Sequence, residues 1–443
     1  MRRVLRAIRV LAVGLLRLVG VALPIVLLAE LPGAVLAALA LLFALAIAFT
    51  RRGAQIRSIA WMGLATIPQR LGSSAVVVVG IAGVVAVLVA LLAMAAGFES
   101  TLRQTGDDDT AIIVRAGSQT EINSQLSHEV ATLVSQAPQI LHDPQGRPIA
   151  SAELVVVASI PKRKTGLDAN VELRGIGDQA WALHPQLRII AGRRFRAGLR
   201  ELIVGEGARQ QFGGVDVGST LKLNGQLWSI VGAFQTGDAH DSEIWGDVEV
   251  VGSTYRRGSA VASVTARLTD PSAIDAFRAA LATDPRIQVD ASTTRAYYNA
   301  QSEQLSRLIR ILGATVGVIM GVGAVFGALN TMYATVAARA REIATLRAIG
   351  FGGLPVVVAV ILETMLLAAV GGALGAALAW LVFHDFTAST LGANFSQVVF
   401  AFQVSPALLA DGLKWALAIG LIGGLFPALR AARMPVTAGL REL

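Results

Sequence analysis

The chain has 443 residues, 54% of them hydrophobic and only 15% charged, with a mean hydropathy of +0.61. That balance excludes an ordinary soluble globular protein and makes this a membrane protein. Its net charge of +8 divides unevenly: residues 99–306 hold 20 Lys+Arg against 24 Asp+Glu, whereas the remainder holds 18 against 6. The basic excess belongs to the membrane part, where it follows the positive-inside rule, so the pI near 10.5 calls for no nucleic-acid partner.

There is no cysteine, which excludes disulfides, haem attachment and thiolate metal sites and fits an oxidising compartment. The histidines, His128, His142, His184, His240 and His384, are scattered. None makes the i, i+4 pair of a helical zinc site, and no metal is expected.

Two apolar runs open the chain, 10–28 and 31–49, joined by Glu30-Leu-Pro-Gly33 and flanked by Arg2, Arg3, Arg6 and Arg9 before and by Arg51 and Arg52 after. Arginine at both outer ends predicts a transmembrane hairpin over residues 1–52 with both ends inside. A cleaved signal peptide is the competing reading; Arg17 within the run and the second span directly after it speak against that. Residues 55–73, with Arg57, Trp61 and Arg70 among apolar neighbours, suit a helix lying in the interface that Pro68 breaks or ends. A third span follows over 75–98, so 53–98 forms an interfacial helix and the first core span.

Residues 99–306 change character. Strand patterns at 152–157, 201–204 and 220–223, separated by Gly and Asp turns, mix with helical patterns at 122–136 and 272–282, which predicts a folded α+β domain large enough for its own core. Because the third span starts inside, this domain lies outside the cytoplasm. Spans at 308–332, 354–383 and 408–426 complete 307–443, with a cytoplasmic turn at 339–353, an extracytoplasmic loop at 385–407 and both termini cytoplasmic. The expectation is thus a polytopic α-helical protein of about six spans, with the α+β domain inserted between the third and fourth. The fifth run, 30 residues or about 45 Å as straight helix, exceeds one crossing and predicts tilt, projection beyond the bilayer or a break near Gly371-Gly372.

Gly313, Gly317 and Gly321 repeat every four residues on the fourth span, beside Gly323 and Gly327, and Gly371/Gly375 and Gly420/Gly424 repeat the spacing later. Such faces let helices approach closely in lipid, within one chain or between two. Gly321-Val-Gly323 is no nucleotide loop, because Phe326 stands at the third glycine position and no strand precedes it. No G-x-x-x-x-G-K-[ST] occurs, and none of Lys162, Lys164, Lys222 and Lys414 follows a glycine, so any ATP-driven work comes from another subunit. A charge at mid-bilayer costs at least about 2.5–3.5 kcal/mol, so Arg17, Glu363 and Lys414 each face protein, water or an interface. For Glu363 a structural contact is the simpler reading and a role in transport the alternative. In the basic turn, Ile343, Leu346 and Ile349 recur every three residues as an apolar ridge while Arg341 and Arg347 project elsewhere, a pattern that favours docking over a plain solvated loop.

Arg339-Ala-Arg-Glu-Ile-Ala-Thr-Leu-Arg-Ala-Ile-Gly350 resembles the R-x-R-E-I-x-x-L-R-A-x-G signature of the MacB/FtsX/LolC class of ABC transporter permeases. Glu363 and Gly371-Gly372/Gly375 stand at matching distances, and Phe426-Pro-Ala-Leu-Arg-Ala-Ala-Arg-Met-Pro435 with Leu440-Arg441 resembles the family's ending. Leu202-Ile-Val-Gly205, Gly218 and Trp228-Ser-Ile-Val-Gly232 resemble its extracytoplasmic pattern, and the likeness covers about 57–443. It implies four core spans, a large periplasmic domain, an inner-membrane location, a homo- or heterodimer of permease chains and a partner ATPase carrying ATP and Mg, with no cofactor on this chain. It further implies that the turn meets the ATPase through Arg339, Arg341, Glu342, Ile343, Leu346, Arg347 and Gly350. The implied work is export or extraction of a hydrophobic or lipid-linked substrate through motion of the periplasmic domain, with a periplasmic adaptor and membrane lipids as further partners. The alternative is FtsX-like signalling that activates a periplasmic hydrolase without transport; a third reading is a membrane-anchored binding module. Two departures stand out: Phe351-Gly-Gly-Leu-Pro355 replaces the polar residues usual after the signature, and the N-terminal hairpin is extra.

Overall fold

The computed structural model describes residues 23–384, 386–392 and 394–437. Most of the first expected span, Arg17 with it, and Leu440-Arg441 lie outside the described residues. Contacts divide the chain into a membrane unit, residues 1–95, 308–385 and 403–443, and an inserted unit, 96–307 and 386–402.

The described chain begins with α1 (Leu23–Ala29) and α2 (Gly33–Phe49), bent by 96° at the Glu30-Leu-Pro32 break. Thr50 leaves helical geometry and caps the next helix, α3 (Arg51–Ala65), accepting from the Gly53 amide at 2.9 Å. Arg57 donates to the Ile47 and Ala48 carbonyls, the negative end of α2. Pro68 lies in a 3-10 turn, Ile67–Arg70, after which α4 (Leu71–Thr105) runs for 35 residues.

The inserted unit then builds one mixed sheet. In chain order come β1 (Thr110–Arg115), α5 (His128–Ser135), β2 (Ala150–Pro161), β3 (Asp168–Ile176), α6 (Ala180–Leu183), β4 (Arg188–Gly192), β5 (Glu201–Gly205), α7 (Glu206–Gln211), β6 (Thr220–Leu223), β7 (Gln226–Gln235), β8 (Glu243–Asp247), α8 (Val248–Thr254), β9 (Ser263–Arg267), α9 (Ile274–Ala282) and β10 (Val289–Thr293). Ten strands pair in the order β10-β1-β9-β2-β3-β8-β5-β7-β4, with β6 beside β7. Pairing is antiparallel except β3 with β8 and β5 with β7. Two cores cover the sheet. Phe277 and Leu281 of α9 and Val134 of α5 pack on Ile113 and Val264, while Trp228, Phe212 and Val251 fill the other around Leu173 and Val204. The strand patterns at 152–157, 201–204 and 220–223 fall in β2, β5 and β6; the helix expected at 122–136 begins only at His128, where Ser127 caps it.

Next come α10 (Thr294–Ala338), α11 (Ala340–Ala348), α12 (Gly353–Phe383), a hairpin of β11 (Thr387–Leu391) and β12 (Gln397–Ala401), and α13 (Pro406–Arg433). The extracytoplasmic loop at 385–407 thus carries a hairpin, and its residues 386–402 belong to the inserted unit. Phe400 packs edge-on against Phe98 at 5.7 Å, and the Val399 amide donates to Ser242 Oγ at 2.8 Å. No break occurs at Gly371-Gly372, because α12 is continuous over 31 residues and both glycines lie against neighbouring helices. Four helices among the described residues are long and apolar enough to cross a membrane, ending in α4, α10, α12 and α13, with a fifth candidate if α1 and α2 form one bent span.

Candidate functional site

The turn after α10 is a second helix with a defined stop. Arg339 leaves helical geometry at φ −104° and ψ 11°, and α11 starts directly after it. At its far end the Phe351 amide donates to the Leu346 carbonyl at 3.1 Å and the Gly350 amide to the Arg347 carbonyl, with Gly350 at φ +104°. This is the Schellman stop, in which the residue after the cap takes a conformation that glycine adopts without strain. Gly350 thus shapes the turn, and Phe351, which packs in the same apolar cluster as Leu346, supplies the stop's hydrophobic contact. The departure from a polar continuation has a structural reason.

The expected apolar ridge does not form one outward face. Ile343 is 3% exposed, in a cluster with Ile59, Val336, Val360 and Ala428, and Leu346 is half-buried against it, whereas Ile349 is 69% exposed. A three-residue repeat drifts around a helix of 3.6 residues per turn, so its two ends face different surroundings. The outward face carries Arg341, Glu342, Thr345, Ala348 and Ile349. Arg347 turns back and donates to the Met434 carbonyl beyond α13.

Arg339 and Glu363 form the junction beneath. Glu363, 4% exposed, accepts from Arg70 Nη2 at 2.9 Å and from Arg339 Nη1 at 3.2 Å, while Arg339 Nε also reaches Glu342 Oε2 at 3.1 Å. A Cβ on Gly63 would lie 3.0 Å from Glu363 Oε2 and 3.2 Å from Arg339 Nη1, so α3 must present glycine there. One carboxylate therefore ties the interfacial segment, the turn and α12 together, and two arginines against two glutamates leave the group neutral. Arg70 and Gly63 are missing from the expected site. The available signal was Glu363 itself, since a carboxylate inside a span requires a basic partner.

Gly313 and Gly317 face α4, where an added Cβ would come within 3.2 Å of Leu91 and 3.0 Å of Leu88. Gly371 and Gly375 face α4 more closely, 2.7 and 2.4 Å from the Val78 and Ala82 carbonyl oxygens, and Gly321 meets Ile419 at an ordinary 3.5 Å. All five glycines are used within the chain. Gly323 and Gly327 have nothing within 4 Å of an added Cβ. Lys414 pairs with Asp411 at 2.6 Å.

A second ionic site, absent from the sequence reading, lies inside the inserted unit. The Arg174 guanidinium donates to Glu121, Glu153, Glu172 and Glu243 at 2.8–2.9 Å, every partner being buried. Glu243 also accepts from Trp245 Nε1 at 2.6 Å, and Glu172 from Asn394 Nδ2 at 3.0 Å and Ser396 Oγ at 3.2 Å, which pins the β11–β12 loop. Burial, reinforced by the Glu243 charge, pushes the Glu172 carboxyl up to about 7. Burial raises Glu153 as well, whereas at Glu121 the same penalty is more than offset by Arg174, which holds it below the ordinary range. Beside them burial opposes the charge on His240, but Asp238 at 3.0 Å and Glu243 more than offset it and bring the imidazole to about 9. One arginine cannot balance four carboxylates in a dry interior, so the site holds protons.

Family models match over two stretches. Residues 74–284 match a MacB-like periplasmic core domain and residues 314–436 an FtsX-like permease C-terminal domain. The chain belongs to the MacB/FtsX-type permease family. Among curated relatives, the macrolide export ATP-binding/permease protein MacB of Campylobacter jejuni is 31% identical over 31% of this chain and 20% of its own length. The protein of the same name from Chromobacterium violaceum is 33% identical over 32% of this chain and 21% of its own. The matched segment spans about a fifth of these relatives. The periplasmic region of MacB from Actinobacillus actinomycetemcomitans aligns at 14% identity and a TM-score of 0.34, over 43% of this chain and 92% of that region. As a member of the family the chain is a multi-pass membrane permease component with a MacB-like periplasmic domain, and family members work with ABC ATPases.

Proposed function

We propose that this chain is the permease subunit of an ABC transporter, in which ATP and Mg bound on a partner chain drive export or extraction of a hydrophobic or lipid-linked substrate through movement of the periplasmic domain. The observation that carries this reading is the Glu363 junction, which fastens the turn to α12 and to the interfacial segment so that a push on α11 reaches both. Arg341 and Glu342, exposed on α11, contact the ATPase; Ile343 and Leu346 anchor the helix, and Gly350 and Arg347 fix its far end. The face of α10 that carries Gly323 and Gly327 meets a second permease chain, with small residues permitting close approach. A periplasmic adaptor is a further partner.

The test uses the full chain with its ATPase in liposomes. Arg341→Glu and Glu342→Lys are expected to weaken ATPase association at least tenfold while leaving the permease folded. Unchanged association and ATP turnover in both would remove the turn from the coupling route. An envelope hydrolase activated by ATP turnover with no substrate moved would replace transport by signalling.

A further inference from the structure

The membrane unit holds a cavity of about 910 Å³ between the N-terminal segment and the last two spans. On one side α2 lines it with Leu36, Leu39 and Phe43; on the other α12 lines it with Leu362, Met365 and Leu366, and α3 and α13 complete the wall. Two of its lining residues are titratable. Glu363 is held by Arg70 and Arg339, and Lys414 by Asp411, so each has its counter-charge within the chain and the lining, among the described residues, offers no unpaired charge to an occupant.

Depth decides what fills such a space. Glu363 stands ten residues from the start of α12 and Lys414 eight from the start of α13, at opposite ends of the spans. At 1.5 Å per residue that places them about 15 Å and about 12 Å in from those ends, so the cavity between them lies at hydrocarbon depth. Water there would need two to four polar partners per molecule, which a leucine, phenylalanine and methionine lining does not supply. A charged ligand would find no free counter-charge and would bear its own desolvation. A flexible hydrocarbon chain meets both conditions, and the volume is that of a ligand site rather than a packing defect.

We propose that this cavity seats an acyl chain of a bilayer phospholipid, with α2 as its outer wall. The accessory N-terminal segment thereby gains a role, closing a lipid site against α12 beside the Glu363 junction. The inference does not rest on the transport reading, since it concerns what the membrane unit binds at rest.

The test is photolabelling of the full chain in nanodiscs of phosphatidylethanolamine and phosphatidylglycerol that contain a phosphatidylcholine with a diazirine in one acyl chain. Peptide mass spectrometry is expected to find adducts on Phe43, Met365 and Leu366 at least fivefold above those on Leu381, an exposed residue of α12 outside the lining. Ala40→Trp, which fills the cavity, is expected to remove them, and Leu381→Trp to leave them unchanged. Labelling equal at Met365 and Leu381 would mean ordinary surrounding lipid and overturn the proposal. So would adducts that persist in Ala40→Trp, or photocrosslinks from a diazirine amino acid at position 366 to residues 10–22, which would make the chain's own first segment the occupant. The wild-type map decides the matter even if Ala40→Trp fails to fold.

Discussion

Two clusters of buried charge among the described residues, at Glu363 and at Arg174, use that charge differently. At Glu363 two arginines and two glutamates balance, the bonds are few, and each partner comes from a separate stretch of chain. At Arg174 one cation serves four carboxylates, every group is out of water, and the bonds run across strands of one sheet and into the β11–β12 loop. A balanced junction with an edge to solvent can shift without stranding a charge, whereas an overloaded dry one holds only while every member stays in place. On the proposed function, the first would transmit movement and the second would belong to the body that is moved.

The largest expected effect is at the rigid site. Arg174→Met leaves four carboxylates without their cation and should cost about 3–5 kcal/mol, read as a lower unfolding temperature of the full chain and early proteolysis within 99–306. A loss below about 1 kcal/mol would mean that the ion cluster does not hold the domain.

Next is pH. Glu172 at about 7 and His240 at about 9 both bind protons more tightly folded than unfolded, so each contributes stability on the acid side that is lost as pH rises, Glu172 between about 4.5 and 7 and His240 between about 6.5 and 9. Glu121, held low, acts in the opposite sense below about 4.5. His184, which burial and the His240 charge hold well below the ordinary imidazole range, also opposes them below about pH 6.5, so the inserted unit should be most stable near pH 6 and lose on the order of 3 kcal/mol by pH 9, followed by thermal unfolding of the full chain across that range. Stability rising from pH 6.5 to 9 would reverse the assignment.

At the junction, Glu363→Ala strands Arg70 and Arg339, but these keep 18% and 11% of their side-chain surface in solvent, so about 2–3 kcal/mol is expected rather than the cost of a dry site. Smallest is the packing of α4. Gly375→Ala drives a methyl to 2.4 Å from a backbone oxygen and should cost about 1–3 kcal/mol, while Gly323→Ala, with open space around it, should leave the monomer unchanged. Equal effects at the two positions would contradict the close approach to α4.

The two regions differ in how much of them is legible in the sequence. The membrane spans, the basic turn and the inserted domain were legible, because span length, arginine placement and the alternation of strands are local signals. Glu363 was legible as an anomaly, though its partner Arg70 was not, being 293 positions away. The Arg174 cluster was invisible: its carboxylates are separated from it by 2 to 69 residues, and only strand pairing brings them together. The ridge of the turn is legible only in part, because a repeat of three cannot say where along the helix one environment gives way to the other. The hairpin within the loop at 385–407 is not legible in the sequence, because short strands such as 387–391 bury little and carry a weak pattern.

The most direct test of the transmission role follows one distance. Spin labels at two exposed positions, Leu167 of the inserted unit and its counterpart in a second copy, are measured by double electron–electron resonance with the ATPase bound, with and without ATP. An ATP-dependent change is expected in the wild type and should be absent in Glu363→Gln, although that variant still binds the ATPase. An unchanged response in Glu363→Gln would contradict the junction as the route by which the turn moves the rest of the protein.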